Sequence, residues 1–299
     1  MDTNADFSSI AGKRQNAIWY YALVFGVAWV VWVPLLLASY GWLSLNLPAW
    51  WFYLAGLAPI GAGVGLTWHE QGWAGIKQLT QRLFMVRFPL RWYALALALP
   101  FASSLITALV YAANGGELRT SLVAEWLPRY LSTLVVLTPL AIFEEAGWRG
   151  YLSPRLQHAL GKWPSSILMG AIWAVWHFPF WLLPGNMLGG LPLVTTLIGL
   201  GAMVVGVTAF ETQMTWLFNK TRGSLFFACF FHAAANAVFV ANVLSPAAGG
   251  VATMAISAIV GWLLVAVLWA WDARRKNIIT TTKAHRAQRK NEVATVVNV

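Results

Sequence analysis

Eight apolar runs, each roughly as long as a membrane-spanning helix, constrain this chain more than any other feature. About 20 helical residues cross a hydrocarbon layer of roughly 30 Å. Helices satisfy their own backbone hydrogen bonds there, whereas a closed strand barrel would show shorter, alternating segments. The sequence therefore predicts an all-α, polytopic membrane helix bundle of about eight transmembrane helices. The runs lie near residues 18–40, 50–68, 92–113, 130–152, 164–183, 191–217, 224–243 and 249–271.

Composition supports the same prediction. The 299 residues are 59% hydrophobic and 10% charged, whereas an ordinary soluble domain carries about 25% charged residues. The single cysteine, Cys229, excludes an intramolecular disulfide bond. No internal repeat is visible, so we expect one transmembrane bundle over 18–271, between an N-terminal segment, 1–17, and a basic tail, 272–299.

The positions of Lys and Arg predict the orientation, because basic loops are held on the cytoplasmic side during insertion. With the N-terminus inside, 17 of the 20 basic residues are cytoplasmic, only Arg119 and Arg129 are outside, and Arg149 is set aside. Both termini are then cytoplasmic. A basic surface beside anionic lipid explains the net charge of +10, and no nucleic-acid partner is required.

Polar and ionisable side chains inside the apolar runs are few. Each charged one costs about 2.5 to 3.5 kcal/mol on insertion scales, so those that persist usually face the protein interior and act there. We therefore expect the functional site among them. They are Glu144, Glu145 and Arg149 in the fourth run, His177 in the fifth, Glu211 in the sixth, and His232 with Asn236 in the seventh.

The adjacent carboxylates of FEEAGWRGYL, residues 143–152, are predicted to differ in role. On a helix Glu145 and Arg149 are four residues apart and can pair across one turn, whereas Glu144 points about 100° away. We expect Glu145 and Arg149 to form a buried ion pair and Glu144 to be a free carboxylate, suited to general base catalysis. The alternative is that all three reach the cytoplasmic headgroups, since they lie near a helix end.

Two histidines lie at a similar predicted depth. His177 follows Trp173 by one turn, and His232 precedes Asn236 by one turn on the same helix face. A lone intramembrane histidine often only donates to a carbonyl of a neighbouring helix. Counted from the cytoplasmic ends, however, the glutamates and both histidines fall between the inner third and the middle of the bilayer, so three helices can converge there. Glu211 lies nearer the inner end, and we expect it to be structural or to act in gating.

This set of side chains permits two hydrolytic chemistries. In the first, Glu144 and His177 hold and deprotonate a water, while His232 and Asn236 donate hydrogen bonds to the developing oxyanion. In the second, Glu144, His177 and His232 bind a zinc ion that activates the water. The compact HExxH spacing of many zinc proteases is absent, and the residues alone leave both chemistries open.

The same residues resemble the motifs of the CAAX protease and bacteriocin-processing (CPBP, or Abi) family of intramembrane proteases, which includes the eukaryotic Ras-converting CAAX endopeptidase. The EExxxR motif corresponds to Glu144, Glu145 and Arg149 within EEAGWRGYLSPRLQ. FxxxH corresponds to Trp173 to His177, with Trp in place of the usual Phe, and HxxxN to His232 to Asn236. The three motifs follow the family's order between about 130 and 240.

The resemblance implies an intramembrane endopeptidase whose site opens towards the cytoplasm. It implies that Glu144 is the catalytic base and that His177 holds the water. It also implies that His232 and Asn236 donate hydrogen bonds to the oxyanion. It also implies that the site is shaped by Glu145, Arg149 and Trp173. The resemblance does not decide between zinc and no cofactor.

The motifs have a bacterial style, so the resemblance implies a bacterial plasma membrane protein. Its expected partners are membrane lipid and a hydrophobic, lipidated or membrane-associated peptide. Two other functions stay open: a bacteriocin-immunity factor that binds a peptide without cleaving it, and a proton- or ion-coupled transporter. A transporter predicts repeated halves with paired broken helices, which the sequence does not show. The sequence does not predict the oligomeric state.

Overall fold

The structure, a computed structural model, describes residues 3–118, 123–241 and 250–297. Regular secondary structure in these ranges is helical throughout, which confirms the predicted all-α membrane bundle. A 3₁₀-helix, Ala49–Leu57, precedes α2, and a π-helix, Ala146–Leu152, lies between α5 and α6. The α-helices are α1 (Thr3–Ser39), α2 (Ala58–Leu83), α3 (Leu90–Ala113), α4 (Val123–Leu140), α5 (Ile142–Glu145), α6 (Ser153–Leu160), α7 (Lys162–Trp176), α8 (Phe178–Leu182), α9 (Leu193–Lys220), α10 (Leu225–Ala241) and α11 (Val251–Val297).

Five of the predicted runs coincide with helical segments that are long and apolar enough to cross a membrane. The run at 130–152 is the one whose extent differs most, because the segment reaches from Glu125 to Leu160. The five segments are Asn16–Ser39, Leu90–Ala113, Glu125–Leu160, Leu193–Lys220 and Val251–Arg274.

The other three predicted runs are divided or shorter. The run at 50–68 begins as the 3₁₀-helix and continues into α2, which bends at Gly72 (φ 57°). The run at 164–183 is split between α7 and α8, because Pro179 cannot continue the hydrogen bonding of α7. The run at 224–243 forms α10, whose apolar stretch is Leu225–Val238. The count of eight transmembrane helices therefore stays a prediction.

The fourth run is less regular than a single α-helix. A turn at Ala141 separates α4 from α5, and the π-helix follows α5 directly. In a π-helix each N–H bonds to the carbonyl five residues earlier, and such turns are frequent at functional sites. The EExxxR motif thus begins in the short α5, at Glu144, and ends in the π-helix, at Arg149.

The packing of the bundle brings the three motif-bearing segments together. α9 packs against α7, α10 and α11, while α10 also contacts α3, α4, α5 and the π-helix. The π-helix in turn packs against α2. Large aromatic side chains fill the interior, among them the fully buried Trp148 and Trp176. The segments that carry EExxxR, FxxxH and HxxxN therefore meet inside the bundle.

Residues predicted to be cytoplasmic gather at one end of the bundle. Asp272 of α11 binds the Nζ atom of Lys162 at 3.2 Å and that of Lys220 at 2.6 Å. Arg82, near the end of α2, donates from Nε to the carbonyl of Gly223 at 2.9 Å. The ends of α2 and α9, the start of α7 and the middle of α11, at Asp272, therefore lie at the same end of the bundle, as the predicted topology requires.

The predicted boundaries at residues 17 and 272 do not coincide with helix ends. α1 begins at Thr3 and α11 continues to Val297, so polar residues extend both apolar helices. Arg119, one of the two basic residues expected outside, lies outside the described residues. The cytoplasmic location of both termini stays a prediction.

The close packing of the π-helix against α2 yields a test of the fold. A Cβ atom added at Gly147 would fall against the carbonyl oxygen of Pro59 and 2.5 Å from the hydroxyl oxygen of Tyr20. The backbone of Pro59 cannot move aside as a flexible side chain can, so the added methyl group would clash with it. We therefore expect Gly147→Ala to lower the free energy of unfolding by about 3 kcal/mol. Thermal unfolding of the purified protein in detergent measures this loss.

Gly65→Ala is the matched control. Gly65 also lies in a helix, α2, but a Cβ atom there would meet no atom within 4 Å. We expect its effect on stability to stay within about 0.5 kcal/mol. Equal stability of the two variants would contradict the tight packing of the π-helix on α2.

Candidate active site

Glu145 and Arg149 form the ion pair that their spacing predicts. Arg149 NH1 donates to Glu145 Oε1 at 3.2 Å, and its Nε lies 3.1 Å from Oε2 in an ionic contact without hydrogen-bond geometry. Both side chains are 0% exposed. The pair is therefore interior, and the alternative in which it reaches the headgroups is wrong for these two residues.

Arg149 has a second carboxylate partner, Glu211 of α9. The NH2 group of Arg149 forms an ion pair with Glu211 Oε2, and Thr215 donates to Glu211 Oε1 at 2.8 Å. Glu211 is fully buried in the protein. These contacts agree with a structural role, which is one of the two roles that we expect for Glu211, the other being gating.

His232 of α10 extends this buried network. Its Nδ1 lies 2.7 Å from Glu145 Oε1, so Glu145 contacts both a guanidinium and an imidazole. The result is a chain of charged and polar contacts from Glu211 through Arg149 and Glu145 to His232, across α9, the π-helix, α5 and α10. Sequence reasoning missed the contact of His232 with Glu145, because the two residues are far apart in the chain.

Glu144, by contrast, is half-buried and stays outside this network. In the described part of the chain its carboxylate has no salt bridge; it accepts a hydrogen bond from the indole Nε1 of Trp173 at 2.9 Å, on Oε2. The expected division of the two glutamates is thus visible in their contacts. Glu145 contacts a guanidinium and an imidazole, whereas Glu144 accepts from a neutral donor on one oxygen.

Trp173 contacts four other residues of the candidate site: Glu144, His177, His232 and Arg149. Its ring centroid lies 5.6 Å from that of His177 and 5.5 Å from that of His232. The guanidinium carbon of Arg149 lies 4.8 Å from the same ring, at cation–π distance. The motif resemblance implies only that Trp173 shapes the site, so its hydrogen bond to Glu144 is an additional finding.

His177 lies at the break between α7 and α8. Its Nδ1 is 3.0 Å from the carbonyl oxygen of Trp173, and its ring stacks on Trp181 at 5.2 Å with an interplanar angle of 6°. A ring nitrogen facing a carbonyl must carry the proton, so in the neutral ring Nε2 keeps the lone pair. The orientation of His177 is thus defined from two sides.

Asn236 is the predicted site residue that the structure does not connect to the others. It lies one turn beyond His232 on α10 and is exposed. Among the contacts that the structure describes, none joins its side chain to Glu144, His177 or Trp173. The shared helix face places it next to His232, as predicted.

The proposed zinc ligands Glu144, His177 and His232 surround one indole but do not form a preformed metal site. Within the described residues, no group of three His, Cys, Asp or Glu side chains stands close enough to hold a metal ion. The Nδ1 atoms of both histidines face other protein groups, which leaves only their Nε2 atoms as ligands. The arrangement therefore does not fit a zinc ion as it stands, and the cofactor stays a prediction.

Comparison with known proteins points to the same segment of the chain. Residues 124–238 match the family model described as type II CAAX prenyl endopeptidase Rce1-like. The chain is also similar to CAAX prenyl protease 2 of Methanococcus maripaludis, with 30% identity over 112 residues. That match covers 34% of this chain and 38% of the relative, so it spans well under half of either protein. Residues 124–238, which contain all three motifs, are therefore similar to the Rce1-like family, as the resemblance of the motifs predicts.

Proposed function

We propose that the protein is an intramembrane endopeptidase that hydrolyses a peptide bond in a hydrophobic, lipidated or membrane-associated peptide. One observation carries this proposal: Glu144 of α5, His177 at the break between α7 and α8, and His232 of α10 all contact the buried side chain of Trp173. A carboxylate and two imidazoles at one place are the groups that hydrolysis by an activated water requires. The family match of the segment supports the same reaction class.

In the proposed first step, Glu144 removes a proton from a water molecule. The Trp173 indole holds Oε2, which leaves Oε1 free to accept that proton. The Nε2 lone pair of His177 accepts the second hydrogen of the water and so orients it. The water oxygen then attacks the scissile carbonyl carbon, and the carbonyl oxygen becomes an oxyanion.

In the proposed second step, His232 stabilises the oxyanion and Glu144 returns the proton. In this step His232 acts as a protonated ring, whose Nδ1–H faces the Glu145 carboxylate and whose Nε2–H donates to the oxyanion. Asn236, on the same face of α10, is the second proposed donor. The protonated Glu144 then delivers its proton to the peptide nitrogen as the carbon–nitrogen bond breaks, which releases an amine and a carboxylic acid.

The substrate class is proposed from the surroundings of the site and from the relative's name. The site lies among helices that are long and apolar enough to cross a membrane, and such surroundings favour a hydrophobic or lipid-anchored peptide as the substrate. The relative is named a CAAX prenyl protease, which supports a lipidated peptide as one candidate. We propose the bacterial plasma membrane as the location.

Glu144→Gln tests the proposed base. The substitution keeps the size of the side chain and an oxygen for the Trp173 indole, but it removes the proton acceptor. We expect turnover to fall by about 10²- to 10⁴-fold, measured by cleavage of a panel of fluorogenic hydrophobic and prenylated peptides. Glu125→Gln, at an exposed glutamate that pairs with Arg129, is the control and should keep full activity.

The same assay distinguishes the alternatives. Full activity of Glu144→Gln would eliminate Glu144 as the base. If the wild-type protein binds peptides of the panel but cleaves none, the immunity function is favoured instead. Metal content measured before and after chelation tests zinc: activity that falls and recovers with bound zinc supports the metal chemistry, and unchanged activity supports the carboxylate alone.

Trp173→Phe tests the positioning role of the indole. The substitution keeps an aromatic ring beside both histidines but removes the donor to Glu144, a hydrogen bond to a charged group of about 1.5 to 3 kcal/mol. We expect kcat to fall about tenfold or more with KM little changed, because Glu144 loses its fixed orientation. Rates of peptide cleavage at saturating and limiting substrate separate the two constants.

Trp262→Phe serves as the control for loss of an indole donor. Trp262 donates to the carbonyl of Val205 at 3.1 Å, away from the site, so its loss should leave kcat unchanged. Wild-type kcat in Trp173→Phe would show that the indole hydrogen bond does not position Glu144.

A further inference from the structure

A polar cavity of about 540 Å³ lies apart from the candidate active site. It is lined by the second half of α2, by α6 and by the end of α9, beside the turn that follows α9. None of Glu144, His177, His232 or Trp173 lines it. Its polar lining consists mainly of guanidinium and carboxamide groups, including Arg82, Arg155, Arg222, Gln78, Gln157 and Asn219.

The charge of this cavity is positive and only partly balanced. No carboxylate is among its lining residues. Arg155 forms an ion pair with Glu70, which balances one guanidinium. Arg82 and Arg222 have no salt bridge among the described residues, so two cationic groups face the cavity without a carboxylate partner. An anion is the ligand that this charge favours.

Arg82 is held in place for such a ligand. Three of its N–H groups donate to the carbonyls of Gly223, Gly150 and Arg149, at 2.9, 3.0 and 3.1 Å. A guanidinium has five N–H donors, so these bonds orient the group and leave donor capacity for an anion. Two of the carbonyls belong to the π-helix, and a ligand bound to Arg82 therefore also stabilises that element.

Arg222, in the turn that follows α9, supplies the second guanidinium without a carboxylate partner among the described residues. Its φ of 54° is a left-handed conformation, and it is the only non-glycine residue with positive φ in the described ranges. Glycine adopts this conformation without steric cost, whereas arginine does not. The guanidinium carbon of Arg222 lies 5.1 Å from the ring of Phe88, which supports the side chain beside the cavity. The Gly223 N–H donates to the carbonyl of Phe218 at 2.8 Å, so the left-handed residue ends α9 and fixes the backbone that carries the Arg222 side chain.

The depth of the cavity indicates the kind of anion. Asn219, which lines it, lies next to the end of the apolar segment Leu193–Lys220, and Arg222 follows that end by two residues. The cavity is therefore at the level of the lipid headgroups. We propose that it binds an anionic phosphate group, carried by a phospholipid headgroup or present as free phosphate, between Arg82 and Arg222.

The test measures thermal unfolding of the purified full chain in detergent. Phosphatidylglycerol, phosphatidylcholine and inorganic phosphate are added separately, the last against chloride of equal ionic strength. We expect phosphatidylglycerol to raise the melting temperature by about 3 °C or more, because a ligand of the folded state stabilises it. The zwitterionic phosphatidylcholine should have a smaller effect. A shift of equal size with inorganic phosphate identifies the free anion as sufficient.

Two variants make the result specific. We expect Arg222→Gln to raise the ligand concentration that gives half of the shift in melting temperature by about tenfold or more. This is the loss in affinity expected when a charged hydrogen-bond donor is removed. Arg91→Gln is the control: Arg91 also stacks on a neighbouring ring, 5.2 Å from Trp92, but does not line the cavity, and its response should match the wild type. Arg222→Gly, which relieves the backbone strain, should fold at least as stably as the wild type and still lose the response.

The proposal is overturned if neither phosphatidylglycerol nor phosphate raises the melting temperature. It is equally overturned if Arg222→Gln and Arg222→Gly respond as the wild type does. These outcomes do not depend on peptidase activity, so they leave the proposed function untouched.

Discussion

The buried guanidinium of Arg149 is the interaction on which the candidate site depends. It lies between the carboxylates of Glu145 and Glu211, and all three side chains are fully buried. Removing one partner of a buried ion pair typically costs about 3 to 5 kcal/mol, because the other charge is left unpaired. These ion pairs therefore fix the π-helix relative to α9. Through Glu145 they also fix His232, and hence α10, at the same place.

Trp173 connects this structural network to the proposed chemistry. One face of its ring system receives the guanidinium of Arg149, and its N–H holds Glu144. Glu144 and Glu145 can therefore have different roles although they are neighbours in the chain. Glu145 is held by charge and stabilises the bundle, whereas Glu144 is half-buried and keeps one oxygen available. Rigid surroundings of this kind reduce the reorganisation that a catalytic step requires.

The sequence predicted the features that depend on local spacing or on hydropathy. The all-α membrane bundle follows from the apolar runs, and the pair of Glu145 with Arg149 follows from a separation of four residues. The contacts of Glu211 with Arg149 and of His232 with Glu145 join distant parts of the chain, so no spacing rule reveals them. The hydrogen bond from Trp173 to Glu144 depends on side-chain orientation and could not be predicted either. The break between α7 and α8 at His177 was predictable in principle, because Pro179 interrupts the hydrogen bonding of a helix.

The central claim is that Glu144, His177 and His232 act on one peptide bond. A structure of the Glu144→Gln variant with an uncleaved hydrophobic or prenylated peptide tests this claim most directly. We expect the scissile carbonyl carbon beside the substituted side chain, and its oxygen at hydrogen-bond distance, about 3 Å, from His232 Nε2. A peptide bound away from Trp173, or a carbonyl oxygen turned away from His232, would contradict the claim.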